Sequence, residues 1–239
     1  IPVLLLALPH WSAEELEARL IERKFNGIKV YLSFAPSYLP RDEVRIYDFL
    51  PPSQLEVLDR LGLAVMLHIP RSGRLKDPVN LGQILEIEQN YPNLKLILAH
   101  VGRAYCEEDV GDAFEILKKT ERLTFDFSAN TNAKVFEWAI NAVGPQRMIF
   151  GSDLPITRMR MRRITENGKY LNLVPKGLYG DVSDDPSMCE IEGEEADRLS
   201  FFIYEEIKSI REAAINTRLN KGEIEDLFFN NAHRMLGLS

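Results

Sequence analysis

The stretch Arg147-Met-Ile-Phe-Gly-Ser-Asp-Leu-Pro155 decides the fold, because it reads as a buried strand that stops abruptly at a carboxylate. Met148, Ile149 and Phe150 suit a strand covered on both faces, Gly151 lets the backbone turn, and Asp153 emerges where Pro155 forbids further pairing. Taken alone, such an aspartate caps the next helix. Two other stretches change that reading. Ala64-Val-Met-Leu-His68 and Lys95-Leu-Ile-Leu-Ala-His100 are equally apolar, and each ends on a histidine just before a loop holding Pro70 or Gly102. Three groups able to bind a metal or transfer a proton, each at the carboxyl end of its own strand, converge if the strands are parallel neighbours.

Outward from these strands the chain alternates strand and helix. A first strand, Val3 to Leu8, precedes a helix opened by Ser12 and Glu15, with Leu16, Leu20 and Ile21 on its apolar stripe. The second strand, Ile28 to Phe34, runs into a loop rich in Pro and Tyr before Ser53 and Glu56 cap a helix stopped by Gly62. A helix from Asn80 follows the His68 strand, and one bearing Val110, Ala113, Phe114 and Leu117 follows the His100 strand. Leu123 to Ser128 places Thr124, Asp126 and Ser128 on one face, and a helix from Ala133 to Val143 leads back to the Asp153 strand. Strand parity puts Met66 with His68, Leu96 and Leu98 with His100, and Ile149 and Gly151 with Asp153 on inward faces.

Units recurring roughly every 25 to 35 residues argue for parallel pairing with right-handed crossovers. The turn Leu8-Pro9-His10-Trp11 is nothing like the Gly-rich phosphate turn of a doubly wound sheet. The expected fold class is therefore α/β of the (β/α) TIM-barrel type, incomplete, with about six of the eight units present and the other two expected upstream of Ile1. The two end strands are then edges left bare, or covered by another chain or by the segment from Ile156 to Glu195, and a bare apolar edge invites a homo-oligomer. That segment, about forty residues with Arg158, Arg160, Arg162, Arg163 and several turn signals, shows no clear periodicity and reads as a lid-like insertion at 156–195. Its arginines suit either a solvated basic turn or substrate binding. Two helices close the chain. One runs from about Glu195 to Thr217 with Leu199, Phe202, Ile203, Ile207 and Ile210 inward, and the other is capped by Asn220 and Glu223. Nothing reads as a linker, so residues 1–239 form a single domain.

Composition narrows the partners. A net charge of -7 and a pI near 5.3 over 239 residues provide no general affinity for nucleic acid or anionic lipid, which leaves a small-molecule substrate. Cys106 and Cys189 form no CxxC pair, which argues against a disulfide framework or zinc knuckle and for a reducing, cytoplasmic setting. The apolar run Ile1 to Leu8 is too short to span a membrane and has no basic leader.

Leu-Ala-His100-Val-Gly, Phe-Gly-Ser-Asp153-Leu-Pro, Ala-Val-Gly144-Pro-Gln-Arg-Met-Ile and Asn230-Asn-Ala-His-Arg-Met-Leu-Gly-Leu resemble the amidohydrolase-related branch of the amidohydrolase superfamily. That branch holds metal-dependent hydrolases and lactonases, and decarboxylases similar to aminocarboxymuconate-semialdehyde decarboxylase. The resemblance covers nearly the whole chain outside the 156–195 segment. It implies a divalent metal, zinc in the first instance, with His68, His100 and Asp153 as ligands from the family's fifth, sixth and eighth strands. It also implies Asp153 as proton acceptor and donor, with His100 polarising the scissile carbonyl or orienting water. The family's first strand supplies a His-x-His pair that this sequence lacks, so two histidines and one carboxylate remain.

Zinc with imidazole and carboxylate ligands and one open position lowers the pKa of bound water to about 7, which suits a metal-dependent hydrolase of a small carboxylated molecule using metal-activated water. A nonoxidative decarboxylase on the same scaffold, and an inactive or binding homologue lacking the His-x-His pair, are the competing readings. Arg71, Arg103 and Tyr105, just after the two histidines, are candidates for a substrate carboxylate or for ordinary loop positions. Lys29 is placed early in its strand, a poor position for a bridging carbamylated lysine, and Asp126 is expected to hydrogen-bond inside the barrel. His10 is a weak candidate for substrate contact and His233 reads as structural.

Overall fold

The computed structural model describes residues 3–238; Ile1 and Pro2, the head of the opening apolar run, lie outside the described residues. Six strands, β1 (Leu4–Leu6), β2 (Gly27–Val30), β3 (Ala64–Leu67), β4 (Lys95–Leu98), β5 (Thr124–Asp126) and β6 (Met148–Ile149), form one sheet in sequence order with every pair parallel. Between them run α1 (Ala13–Arg23), α2 (Pro52–Leu61), α3 (Pro78–Asn90), α4 (Ala113–Leu117) and α5 (Ala133–Val143). This is the expected TIM-barrel-type arrangement of six βα units. Local chemistry sets the helix ends: Ser12 Oγ accepts the Glu15 N–H at 3.1 Å to start α1, and Asp77 Oδ1 accepts from the Val79 and Asn80 amides to start α3. The helix after the Pro-rich loop begins at Pro52 and has no side-chain cap, so the capping pair expected of Ser53 and Glu56 is not used.

Register divides the sheet into two faces. Leu5, Ile28, Val65, Leu96, Leu98, Phe125 and Met148 line up in register and pack with the helices, forming the main core. Lys29, Met66, Ile97, Thr124, Asp126 and Ile149 occupy the other face. For β4 this reverses the parity argument, since Ile97 rather than Leu96 and Leu98 shares the inner face with Met66. Gly27 shows how closely β2 and β3 approach, as a Cβ there would stand 2.0 Å from the Ala64 carbonyl oxygen.

On the inner face, Ala64, Ile97 and Ile149, with Leu4 and Met66, pack against Ala232, Met235 and Leu236 of the last helix. That packing lies beneath the strand ends that carry the histidines. The same region ties off β6: the Phe150 N–H donates to the Leu227 carbonyl at 2.9 Å, and Asn231 Nδ2 donates to the carbonyls of Pro145 and Met148, both at 2.8 Å. Within the chain the β6 edge is thus closed by residues 227–231 rather than by the segment at 156–195. At the opposite edge Val3 is 51% and Leu6 46% exposed.

The segment at 156–195 is more regular than its sequence pattern suggests. It holds β7 (Arg162–Glu166), β8 (Lys169–Pro175) and β9 (Met188–Ile191), with β7 antiparallel and β9 parallel to β8. Asn167 and Gly168, at φ 51° and 72°, make the two-residue turn that joins β7 to β8. An Asn-Gly pair between strands is the sequence signal for such a hairpin. A small second core of Ala129, Met161, Val174 and Phe202 seats this sheet beside the loop after β5. The helix expected from Glu195 to Thr217 is two, α6 (Gly193–Asp197) and α7 (Phe202–Asn216), and Ile207 on α7 is 38% exposed rather than inward. The closing region holds α8 (Lys221–Glu225), started by the reciprocal Asn220 and Glu223 cap, a π-helical stretch (Asp226–Asn230) and α9 (Asn231–Leu236).

Candidate active site

His68 follows β3 directly and keeps the inward parity of Lys29 and Met66. Its ring stacks on Tyr31, with centroids 5.3 Å apart and planes 23° apart. His100 reaches the same place by a different route. Its strand ends at Leu98, and His100, Val101 and Gly102 take φ values of 58°, 50° and 62°, a left-handed turn that swings the imidazole from a strand of the wrong parity into the inner face. The two rings meet with His68 Nε2 and His100 Nε2 2.9 Å apart.

Asp126 and Ser128 hold that turn. Asp126 Oδ1, on a residue 2% exposed, accepts from the His100 N–H at 2.9 Å, the Ser128 N–H at 2.9 Å and Ser128 Oγ at 2.6 Å. His100 Nδ1 lies 2.7 Å from the Ser128 carbonyl oxygen and 3.0 Å from Ser128 Oγ. Because the Ser128 hydroxyl already donates to Asp126, both neighbours of Nδ1 are acceptors. The proton of His100 therefore sits on Nδ1, and Nε2 presents its lone pair to His68. Burial, with the cations Lys29 and Arg103 and the His100 ring nearby, pushes the His68 imidazole down to about 3, so it stays neutral across the physiological range.

Asp153 stands at the mouth of the same face, at φ 45°, its side chain 21% exposed and Oδ1 3.9 Å from Lys29 Nζ. It does not complete the expected ligand set: among the described residues no three His, Cys, Asp or Glu side chains gather closely enough to hold an ion. Asp153 lies on the loop beyond the two-residue β6, beside Lys29. Lys29 is the third residue of β2 rather than an early residue of a longer strand, and its ammonium also lies 5.2 Å from the centre of the Tyr31 ring.

The other sequence candidates separate. Arg71 Nε donates to Asp77 Oδ2 at 3.0 Å, and Arg103 Nη1 donates to the carbonyls of Ile69 and Pro70 at 2.9 and 3.2 Å, so both guanidinium groups brace the loops after β3 and β4. Tyr105 lies beside the site, its ring 6.4 Å from that of His100 and covered by Arg163 at 4.3 Å, Arg74 at 5.0 Å and Tyr170 at 5.0 Å. His10 is exposed next to Trp11, and His233 packs on Phe229 of the closing helices. Arg160 donates to the carbonyls of Ala196, Asp197 and Leu199, whereas Arg163 reaches back to the site loop and donates to the Ala129 carbonyl at 2.6 Å.

Glu206 of α7 was invisible as a functional residue in the sequence, where it reads as one of many helix acids. It is fully buried, its Oε2 accepts the Ala129 N–H at 2.9 Å, and its Oε1 has no partner among the described residues. Burial, reinforced by the negative charges of Asp126 and Asp153, pushes its carboxyl up to about 8 against the pull of the Ala129 N–H.

As donors, the two facing imidazoles fit a divalent metal in kind. One has its far nitrogen anchored on a carbonyl, as metal-ligating histidines usually do, but they are two ligands where structural and catalytic zinc sites take three or four. Parallel βα units in sequence order, with His68 and His100 brought together just beyond the ends of β3 and β4, define a TIM-barrel-type scaffold. Residues 9–238 match the family model for amidohydrolases, and the chain belongs to that family. Its fold is shared by crystal structures of an amidohydrolase from Burkholderia multivorans, with bound HEPES and with bound Zn, at 16% identity and TM-score 0.56 over 94% of this chain and 71% of theirs. A probable 2-pyrone-4,6-dicarboxylic acid hydrolase from Acinetobacter baumannii with citric acid bound is 15% identical, with TM-score 0.54 over 99% of this chain and 73% of its own. A dihydroxybenzoic acid decarboxylase from Polaromonas sp. JS666, with bound manganese and the inhibitor 2-nitroresorcinol, is 15% identical, with TM-score 0.51 over 98% and 68%. No curated protein matches the chain. No helix among the described residues is long and apolar enough to cross a membrane.

Proposed function

We propose that this chain carries the site of a metal-dependent hydrolase acting on a small carboxylated molecule. The observation that carries the reading is the His68 and His100 pair, both Nε2 atoms facing each other at 2.9 Å with the far nitrogen of His100 anchored on Ser128. Two imidazoles so arranged share either one proton or one cation. His68 and His100 would hold a divalent ion, zinc or manganese, which when bound polarises a substrate oxygen and lowers the pKa of water. Asp153 acts as proton acceptor and then donor at its carboxylate oxygens. Lys29, with no hydrogen-bond partner among the described residues and Asp153 Oδ1 at 3.9 Å, takes over the anchoring of a substrate carboxylate proposed for Arg71 and Arg103, whose guanidinium groups are already engaged. Tyr105 forms the side wall next to His100.

A nonoxidative decarboxylase is the second reading, supported by the same Lys29 and Asp153 pair: an ammonium that holds an acid beside a group able to protonate a carbanion. Product analysis separates the two, since hydrolysis of a lactone consumes water and yields a new acid, whereas decarboxylation releases carbon dioxide. Calorimetric titration of the purified protein with Zn2+ and Mn2+ tests the metal reading. We expect one ion per chain and its loss in His68→Ala and His100→Ala; a chain that binds neither metal leaves the binding homologue as the better description.

A further inference from the structure

The peptide unit between Ser128 and Ala129 is held at both ends. Its carbonyl, that of Ser128, accepts from His100 Nδ1 at 2.7 Å, and its N–H, that of Ala129, donates to Glu206 Oε2 at 2.9 Å. A peptide unit is planar, so turning its N–H turns its carbonyl oxygen with it. Glu206, more than seventy residues away in sequence, thus shares a rigid group with the imidazole of the site.

We propose that Glu206 is a positioning residue for His100, acting through the single peptide unit that joins Ser128 to Ala129. The inference rests on the reading of His100 as a working side chain of the site. The arrangement is the carboxyl, histidine and metal relay of many metal sites with one peptide inserted between carboxyl and imidazole. A hydrogen bond drawing on the N–H polarises the carbonyl at the other end, which strengthens its hold on the Nδ1 proton and keeps the Nε2 lone pair aimed at His68. Arg163 from β7 fixes the next carbonyl, that of Ala129, so the peptide cannot swivel about its neighbour.

A tether between α7 and this loop does not by itself require a buried carboxyl group. Ser209, one turn further along α7, already provides one through its bond to the Thr131 carbonyl at 2.8 Å. Glu206 differs in that it is completely enclosed and leaves one oxygen without a partner among the described residues, a costly arrangement for a mere strap.

The test is the tautomer of His100, read from the ring nitrogens in long-range proton–nitrogen spectra of the labelled chain, with His100→Gln to assign the signal among four histidines. The wild type should show a protonated Nδ1 and an unprotonated Nε2. Glu206→Gln, which keeps an acceptor for the Ala129 N–H, should leave that pattern unchanged. Glu206→Met, which fills the same volume and removes the acceptor, and Glu206→Ala should bring the two nitrogen signals toward each other as the tautomers mix. Ser209→Ala should leave them alone. Zn2+ titrated into Glu206→Met should bind about 10- to 100-fold more weakly than to the wild type, the usual cost of losing a group that orients a ligand. A folded Glu206→Met with the wild-type tautomer, or a Ser209→Ala that shifts His100 equally, would overturn the inference. If the wild type binds no zinc yet its tautomer responds to Glu206→Met, the metal reading falls and the positioning role stands.

Discussion

Replacing Glu206 by Gln should change how the protein's stability depends on pH, by an amount the buried environment sets. The carboxyl is fully enclosed, close to Asp126 and Asp153, and raised from its ordinary 4.5 to about 8. The folded state therefore holds a proton over a range in which the unfolded chain has released it. Below about pH 4.5 the stabilisation is fully present. As pH rises toward 8 the unfolded state gains by ionising while the folded state does not, and stability falls by about 1.4 kcal/mol per pH unit. Across the whole window the loss is about 5 kcal/mol, after which the curve levels. Gln keeps the shape and the acceptor for the Ala129 N–H but carries no titrating proton. Urea denaturation followed by the fluorescence of Trp11 and Trp138 at pH 5, 6, 7, 8 and 9 measures both proteins. Titrating groups that do not interact with Glu206 cancel in the comparison, which leaves Glu206 and its coupling to Asp126 and Asp153. The stability of Glu206→Gln relative to wild type should climb steadily between pH 5 and 8. Parallel profiles would mean that Glu206 ionises normally in the folded protein, and the account of its burial would be refuted.

Gly27→Ala should prevent β2 from pairing with β3, because the added Cβ meets the Ala64 carbonyl at 2.0 Å and backbone cannot yield as a side chain can; a soluble variant with the wild-type circular dichroism spectrum would contradict this. Asp126→Ala strands the buried amides of His100 and Ser128, at about 1 to 3 kcal/mol each, and should lower Tm by at least about 5 °C; an unchanged melting curve counts against the hydrogen-bond assignment. Asp153→Asn removes the proton acceptor while keeping the shape, so turnover of any identified substrate should drop by about 10²- to 10⁴-fold, and full activity would remove Asp153 from the mechanism.

Much of this protein is written in local pattern. Apolar runs bounded by Gly and Pro located all six parallel strands, and their alternation with amphipathic helices fixed the strand order and the fold class, because a parallel crossover needs a helix-length connection and has one preferred hand. Histidines at the ends of two such runs were legible as neighbours for the same reason. The inserted hairpin is equally local, announced by Asn167-Gly168, but its strands are short and lack a clean apolar alternation, so the pair does not stand out among the segment's other glycines and turn signals. What tertiary structure alone decided is finer. Parity along β4 points His100 away from the site, and only the left-handed turn held by Asp126 and Ser128 brings it round, a turn whose partners come from the next strand. Asp153 lies beside Lys29 of β2, a pairing across strands that spacing along the sequence does not show, and among the described residues it forms no three-ligand cluster with the histidines. Glu206 gains its role from a contact across 77 positions of sequence, where no periodicity or spacing carries information: a helical acid is ordinary until the fold buries it beside one particular peptide.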